Sequence, residues 1–487
     1  MAESLRSKST RGMAWSAIER FALMGIQFVI QIILARLLVP ADYGVIGMLA
    51  VFLAIAQTFV DSGFGKALIQ NQQRTERDFA TMFIFNIVVA CIFYGILFVS
   101  APLIAAFYEM PILVPVTRVI ALSMIINAFA AVHRAKLEIE VNFKTQAKAT
   151  IAASLFSGAV GIAMAYAGYG VWALVTQTLV SAGTQVVLFW LLLRWVPRYF
   201  FSWESFRPMF RFGSRLVAAS LLHTIYANLY SIFIGKIYSA ASLGFYTKAN
   251  TLAGLPSQIG EGILSRVTFP VLAQVQDDDQ RLKHIYGKYL RFSTSLLTPL
   301  MLGICAVAKP LILVLIGEKW LPCVPFLQVL CLSWMCNPII MVNLNLIYVK
   351  GRTDLVLRLE IVKKITATLI MFCGLPFGVL GLCIARAVYN QIAIFLNTYY
   401  TGKFLKMTYW AQIREVAPIY LTSGMMCAVA WAVTLLFENN WLALFAGTLA
   451  GAIFYLTVSY FLKFEFWEEG KIFLSKWRSR KAAKVKA

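Results

Sequence analysis

Charged side chains inside long apolar stretches are the main candidates for chemistry in this sequence. Arg215, Lys236 and Lys248 interrupt two apolar runs between positions 211 and 279, and Glu261 and Arg266 follow in the second run. A charge at the bilayer centre costs about 2.5–3.5 kcal/mol on insertion scales, so such residues mark a cavity or pathway. A base-rich cavity suits an anionic group such as phosphate or pyrophosphate, which lysine and arginine bind through charge-assisted hydrogen bonds.

Part of this pattern occurs twice, and the two copies are separated by about 200 positions. A base, a glycine, an acid and a second base recur in the same order, as Arg36, Gly44, Asp61 and Lys66 and again as Lys236, Gly244, Glu261 and Arg266. A series with one constant offset predicts duplication of a six-helix unit. Because each copy holds an even number of helices, both enter the membrane in the same sense, and we expect a pseudo-two-fold axis along the membrane normal.

Composition sets the fold class. The chain has 487 residues, of which 60% are apolar and 14% charged, whereas soluble domains have about 25% charged residues. One membrane-spanning helix needs about 20 apolar residues. We therefore predict an all-α polytopic membrane protein with about 14 transmembrane helices, near 13–38, 43–68, 79–106, 114–135, 147–167, 170–195, 211–237, 242–272, 288–316, 325–349, 357–377, 380–402, 415–437 and 440–463.

The duplication divides these helices into two parallel lobes. We predict an N-lobe at 1–195 with helices 1–6, a cytoplasmic linker at 196–210, a C-lobe at 211–402 with helices 7–12, two extra helices at 403–463 and a basic cytoplasmic tail at 464–487. Lysine and arginine cluster in alternate loops, which places both termini of this multi-pass membrane protein in the cytoplasm. The formal net charge of +22 then follows from inner loops, and no nucleic-acid partner is expected.

Enzyme and cofactor signatures are not found in the sequence. The eight cysteines form no paired metal or redox motif, and no phosphate-binding loop of an ATPase occurs. We predict no catalytic residues, no metal and no cofactor. The anionic head group of a substrate is expected at seven residues: Arg20, Arg36, Arg215, His223, Asn228, Lys236 and Lys248. Asp61 with Lys66 and Glu261 with Arg266 are expected to form gate ion pairs between the lobes; the alternative is that they snorkel to the interface.

Several segments resemble the bacterial polysaccharide transporter family. The segments are GMAWSAIERF, ILARLLVPADYGVIGM, VDSGFGKALIQ, NLYSIFIGKIYSAASLGFYTKANTLAGLPSQ, FPVLAQVQDD and GEKWLPCVPFLQVLC. This resemblance, to Wzx-type flippases of the multidrug/oligosaccharidyl-lipid/polysaccharide exporter (MOP) superfamily, spans almost the whole chain. The colanic-acid and teichuronic-acid branch is the most similar.

The resemblance implies a flippase for undecaprenyl-pyrophosphate-linked oligosaccharide repeat units that works by alternating access. It also implies contact with membrane lipids and with the polysaccharide polymerase and chain-length regulator of the pathway. Two alternatives remain open: an ion-coupled drug or cation antiporter of the same fold, and a non-transport membrane enzyme or scaffold of polysaccharide assembly. An antiporter would have an acid-rich cavity, and an enzyme would need a large outer loop or a catalytic acid cluster.

Overall fold

Helices account for nearly all of the structure, and no strand occurs among the described residues. This computed structural model describes residues 5–61 and 63–467, without the side chains of residues 5–14, 17, 215, 219 and 261–267. A lipid environment offers no hydrogen bonds to the backbone, so an apolar chain satisfies its own peptide groups by forming helices. The all-α fold class predicted from composition is confirmed.

The helices follow one another with short connections. The first nine are α1 Leu5–Leu37, α2 Pro40–Asp61, α3 Phe64–Gln70, α4 Glu76–Tyr108, α5 Leu113–Ile120, α6 Leu122–Ile139, α7 Phe143–Tyr166, α8 Val171–Leu193 and α9 Trp203–Ile237. The next nine are α10 Ala240–Ala273, α11 Asp279–Ala306, α12 Ala308–Leu315, α13 Cys323–Trp334, α14 Asn337–Val349, α15 Thr353–Gly374, α16 Gly378–Leu405, α17 Tyr409–Thr434 and α18 Asn440–Phe461.

The described residues contain twelve segments that are long and apolar enough to cross a membrane. One of them, Thr353–Leu405, contains two helices, α15 and α16, and the 34-residue helix α10 lies outside the twelve. A helix therefore occupies each of the fourteen predicted positions. Four predicted helices are divided in two, into α2 and α3, α5 and α6, α11 and α12, and α13 and α14.

One predicted boundary is wrong. We expected a linker up to position 210, but α9 begins at Trp203. Ser202 caps this helix, because its hydroxyl accepts a hydrogen bond from the Ser205 amide at 3.4 Å, and serine is a favoured cap residue. The second half of the predicted linker is therefore the first two turns of the seventh long helix.

The first compact unit extends to Gly244. Within it, α7 packs against α1 and α8, α6 packs against α4 and α8, and α9 packs against α2. Gly158 and Gly161 allow the close approach of α1 and α8 to α7. A Cβ atom on Gly158 would lie 2.2 Å from Cδ1 of Ile30, and one on Gly161 would lie 3.0 Å from Cβ of Gln177. Small residues commonly permit such packing between membrane helices.

The second compact unit begins at Phe245. Here α11 packs against α17, α17 packs against α18, and α16 packs against α13 and α15. Tyr286, Ile339 and Val416 belong to one buried cluster of this unit, so the first of the two extra helices contributes to its core. The division at Gly244 places α9 with the first unit, whereas the sequence repeat places it in the C-lobe. The two six-helix lobes stay a prediction.

Candidate functional site

A cavity with charged walls lies inside the first unit. Its volume is about 360 Å³, and its walls come from α2, α3, α4, α6 and α9. The charged residues of the wall are Asp61, Lys66, Arg134 and Glu138, and we call this space the charged cavity. Both signs of charge are present, so the cavity can hold an anion next to its two bases or a cation next to its two acids.

Hydrogen bonds position the α2 side of the charged cavity. Gln57 donates from Nε2 to Oδ1 of Asp61 at 2.9 Å. The hydroxyls of Thr58 on α2 and Thr224 on α9 lie 3.2 Å apart, which links the two helices. The predicted residue Asn228 donates to the backbone carbonyl of Thr224 at 2.8 Å, so its amide braces α9 one turn beyond this link.

Arg134 is the best positioned base of the charged cavity. It donates from Nη2 to Oε1 of Gln185 at 2.8 Å, which ties α6 to α8. Asn127, Arg134 and Glu138 lie seven and four residues apart, a spacing that puts all three on one face of α6. Arginine presents several donors in a fixed planar fork, so Arg134 can bond Gln185 and still offer N–H groups to an oxyanion.

A second cavity adjoins the first and has a different chemistry. Its volume is about 430 Å³, and its walls come from α1, α6, α7 and α8. Nine of its ten lining residues carry an uncharged amide or hydroxyl, and the tenth is Ala182; we call it the amide cavity. Asn127 lines both cavities, and the bond from Arg134 to Gln185 joins their walls.

A buried acid on α1 lies near these cavities. The Glu19 side chain is only 8% exposed, and Oε1 accepts hydrogen bonds from the Thr150 hydroxyl at 2.9 Å and from Nε2 of Gln146 at 3.5 Å. Arg134 lies within electrostatic range of this carboxyl. The neighbouring Arg20, which we predicted to bind an anion, has an exposed side chain instead.

The predicted anion-binding residues are distributed over the chain. Arg20, Arg36, His223 and Lys236 have exposed side chains. Lys248 is buried in the second unit, where its Nζ lies 5.7 Å from the ring centroid of Trp320. The structure therefore does not bring these residues into one described cavity, and their role in binding stays a prediction.

Lys236 has an acid partner that the sequence did not indicate. Its Nζ lies 2.8 Å from Oε1 of Glu109, and the pair joins the end of α9 to the end of α4. The hydrogen bond and the charge of Lys236 lower the pKa of the Glu109 carboxyl below its ordinary value. We therefore interpret Lys236 as part of a helix-end contact.

The predicted gate residues have different outcomes. Asp61 and Lys66 both line the charged cavity. The side chains of Glu261, Arg266 and the predicted anion-binding residue Arg215 lie outside the described residues. The pairing of gate charges between the lobes stays a prediction.

Sequence reasoning missed Arg134 because it lies at the end of the predicted helix 114–135, where we counted it among the cytoplasmic bases that set the orientation. The helix there continues to Ile139, beyond the predicted end at 135. A signal was present, since Asn127, Arg134 and Glu138 follow helical spacing. The amides of the second cavity were missed because, apart from His223 and Asn228, we searched apolar runs for charged residues.

The second unit holds another embedded base that we did not predict. Arg386 on α16 donates from Nη1 to the Tyr246 hydroxyl and to Oδ1 of Asn250, both at 2.9 Å. Its guanidinium carbon lies 5.2 Å from the ring centroid of Trp334. Among the described residues, no group of three or more histidine, cysteine or acidic side chains could hold a metal ion.

Two solved membrane proteins share the fold of this chain. It matches a structure of lipid II flippase MurJ in an inward closed conformation with a TM-score of 0.75, at 15% identity, over 93% of this chain and 99% of MurJ. It also matches an inward-facing multidrug resistance MATE transporter with a TM-score of 0.58, at 15% identity, over 82% of this chain and 95% of the transporter. These matches show the fold, and the long apolar helices are those of a multi-pass membrane protein.

The chain belongs to the polysaccharide biosynthesis protein family, whose model matches residues 33–325. It is 26% identical to the teichuronic acid biosynthesis protein TuaB of Bacillus subtilis, over 90% of this chain and 91% of that protein. It is also 26% identical to the lipopolysaccharide biosynthesis protein WzxC of Escherichia coli, over 79% of this chain and 77% of that protein. The resemblance found in the sequence to polysaccharide transporters of the MOP superfamily is confirmed.

Proposed function

We propose that this protein moves oligosaccharide repeat units linked to undecaprenyl pyrophosphate across the bacterial inner membrane for surface polysaccharide assembly. The two lobes give access to each side of the membrane in turn, and both termini face the cytoplasm. The lipid tail stays in the bilayer while the polar head passes through the protein.

The charged cavity carries this proposal. Lys66 and Arg134 both line this cavity and offer two bases to the pyrophosphate, which such bases bind through charge-assisted hydrogen bonds. Arg134 is already held by Gln185, so little side-chain freedom is lost when an oxyanion binds. The family match supports the class of substrate, and MurJ, whose fold is shared, is named as a flippase for lipid II.

Antiport of a drug or cation is the second candidate. Asp61 and Glu138 line the same cavity as the two bases, and a multidrug transporter shares the fold. Acids near a cavity favour cations. Ethidium efflux by the purified protein in liposomes would support this candidate. A flippase for lipid-linked oligosaccharide is not expected to export ethidium.

The proposal is tested by deletion and complementation in cells that make the polysaccharide. Deletion is expected to cause accumulation of a lipid-linked oligosaccharide on the cytoplasmic face. Arg134→Gln removes a charge-assisted hydrogen bond, so we expect it to lower polysaccharide export about tenfold or more. Arg134→Lys keeps the charge and is expected to retain part of the export.

Arg77→Gln is the matched control, because Arg77 is exposed at the start of α4 and lies outside the charged cavity. It is expected to restore export fully. Membrane abundance of each variant is measured by immunoblot. Normal export by Arg134→Gln at normal abundance would contradict the pyrophosphate site, and deletion without any lipid-linked intermediate would contradict the function.

A further inference from the structure

We propose that the amide cavity binds a sugar residue of the transported glycan and selects it through hydrogen bonds to its hydroxyl groups. This inference rests on the proposed function, and it assigns the sugar of the substrate to the amide cavity. It concerns the uncharged part of the substrate, whereas the charged cavity concerns the pyrophosphate.

The chemistry of the walls identifies the class of ligand. Gln27 and Gln31 come from α1, and Gln177, Ser181 and Gln185 come from α8. Each amide supplies donors and an acceptor, and each hydroxyl can do both. Phosphate is bound best by bases, and aromatic drugs by apolar walls. A ring that carries several neutral hydroxyls needs the mixture of donors and acceptors that these helices present.

Two hydroxyls of the cavity are already oriented. Ser157 donates to the carbonyl of Ser154 at 3.2 Å, and Thr178 donates to the carbonyl of Leu174 at 2.9 Å. Both bonds stay within one helix, so they do not serve to join α7 to α8. A hydroxyl that donates to its own helix keeps its lone pairs as acceptors, and these can receive the hydroxyl protons of a sugar.

The helices that line the amide cavity are packed closely against one another. Ile30 of α1 packs against Gly158, and the Cβ and Cγ atoms of Gln177 on α8 pack against Gly161. Because α7 holds both neighbours at contact distance, the cavity is built into the packing of three helices. Its volume of about 430 Å³ falls within the range of about 300–1,000 Å³ typical of small-molecule sites.

The relation between the two cavities matches the covalent order of the substrate. Asn127 belongs to both walls, and Gln185 of the amide cavity accepts the bond from Arg134 of the charged cavity. In a glycosyl pyrophosphate lipid, the first sugar is bonded directly to the pyrophosphate. An oxyanion at Arg134 therefore brings the adjoining sugar to the amides.

Binding measurements with two lipids test this inference. The first is the lipid-linked oligosaccharide extracted from cells that lack the protein, and the second is undecaprenyl pyrophosphate without sugar. The full chain in nanodiscs is expected to bind the first lipid more tightly than the second. Gln177→Met keeps the length of the side chain and removes its hydrogen bonds. We expect it to weaken binding of the glycosylated lipid about fivefold and to leave binding of the sugar-free lipid unchanged.

Two further variants make the test decisive. Ser181→Ala removes a hydroxyl with almost no loss of packing, and it is expected to act in the same direction if Gln177→Met folds poorly. Gln70→Ala, at the exposed end of α3, is the control and is expected to leave both affinities unchanged.

Each remaining outcome would overturn the inference. If the wild-type protein binds both lipids equally, or if Gln177→Met and Ser181→Ala weaken both lipids to the same extent, the amide cavity does not bind sugar, while the proposed function stands. If the wild-type protein binds neither lipid, the proposed function fails and the sugar site fails with it.

Discussion

Gly44 and Gly244 lie on opposite sides of one close helix crossing, each against the first residue of the other's helix. A Cβ atom on Gly44 would lie 1.7 Å from the carbonyl oxygen of Ala240, and one on Gly244 would lie 1.9 Å from the carbonyl oxygen of Pro40. The two contacts are related by the offset of the sequence repeat. The contacts are therefore reciprocal, and each glycine permits the same close approach of α2 to the start of α10.

This crossing predicts a strong effect of a single methyl group. Gly44→Ala and Gly244→Ala each place a Cβ against backbone, which cannot move aside like a flexible side chain, and overpacking of this kind costs about 1–3 kcal/mol. We expect both variants to lower the unfolding temperature of the purified protein. Gly95→Ala is the control, because a Cβ there meets nothing within 4 Å; an equal decrease in all three variants would contradict the assignment.

The packing of Gln177 on Gly161 gives a second prediction. A Cβ on Gly161 would lie 3.0 Å from Cβ of Gln177 and 3.2 Å from its Cγ, so Gly161→Ala must displace α8 by a few tenths of an ångström. We expect weaker binding of the glycosylated lipid without a matching loss of affinity for undecaprenyl pyrophosphate. Gly183→Ala, where a Cβ meets nothing within 4 Å, is expected to bind both lipids normally.

A third prediction concerns an ion cluster of the second unit. Arg291 on α11 forms ion pairs with Glu415 on α17 and with Glu465, which follows α18. Arg291→Met leaves the two carboxylates without their shared base. Because these side chains are 19–38% exposed, solvent reduces the cost from that of a fully buried pair to about 1–2 kcal/mol.

Thermal unfolding of the purified protein measures this effect. Arg352→Gln breaks a pair with Asp354 in which both side chains are half exposed, and this control is expected to show no change. Arg291→Lys keeps one charge but loses the planar fork, so its unfolding temperature should lie between those of the wild type and Arg291→Met. Equal unfolding temperatures for Arg291→Met and the wild type would show that the cluster does not hold α17 in place.

The Lys236–Glu109 pair predicts a dependence on pH. The folded protein lowers the pKa of Glu109, so the pair adds stability above the ordinary carboxyl pKa of about 4.3 and loses it as the pH falls through the lowered value. Glu109→Gln is therefore expected to unfold at a slightly lower temperature than the wild type near neutral pH. The difference should disappear in acid, and a difference that grows as the pH falls would contradict the pair.

The positions and order of the long helices could be predicted from the sequence alone. Long apolar runs must form helices because lipid offers no alternative hydrogen bonds to the backbone. The breaks inside four of the predicted helices could not be placed in this way. The break near Gly63 is explained by glycine, because the φ of 68° at this residue lies in the left-handed region that glycine adopts readily. The break at Ala121 has no such explanation, because neither α5 nor α6 contains a glycine.

The sequence by itself determined the class of protein, the repeat and the presence of charges within the bundle. Only the tertiary structure decided which of those charges face inward. Glu19 and Ile30 are eleven residues apart, about three helical turns, and so share one face of α1. Because Ile30 packs over Gly158, that face turns toward α7, Glu19 is buried and Arg20 is exposed. The rotation of a helix about its axis depends on the shapes of the side chains that meet at its contacts. The residue types along the sequence do not reveal this rotation.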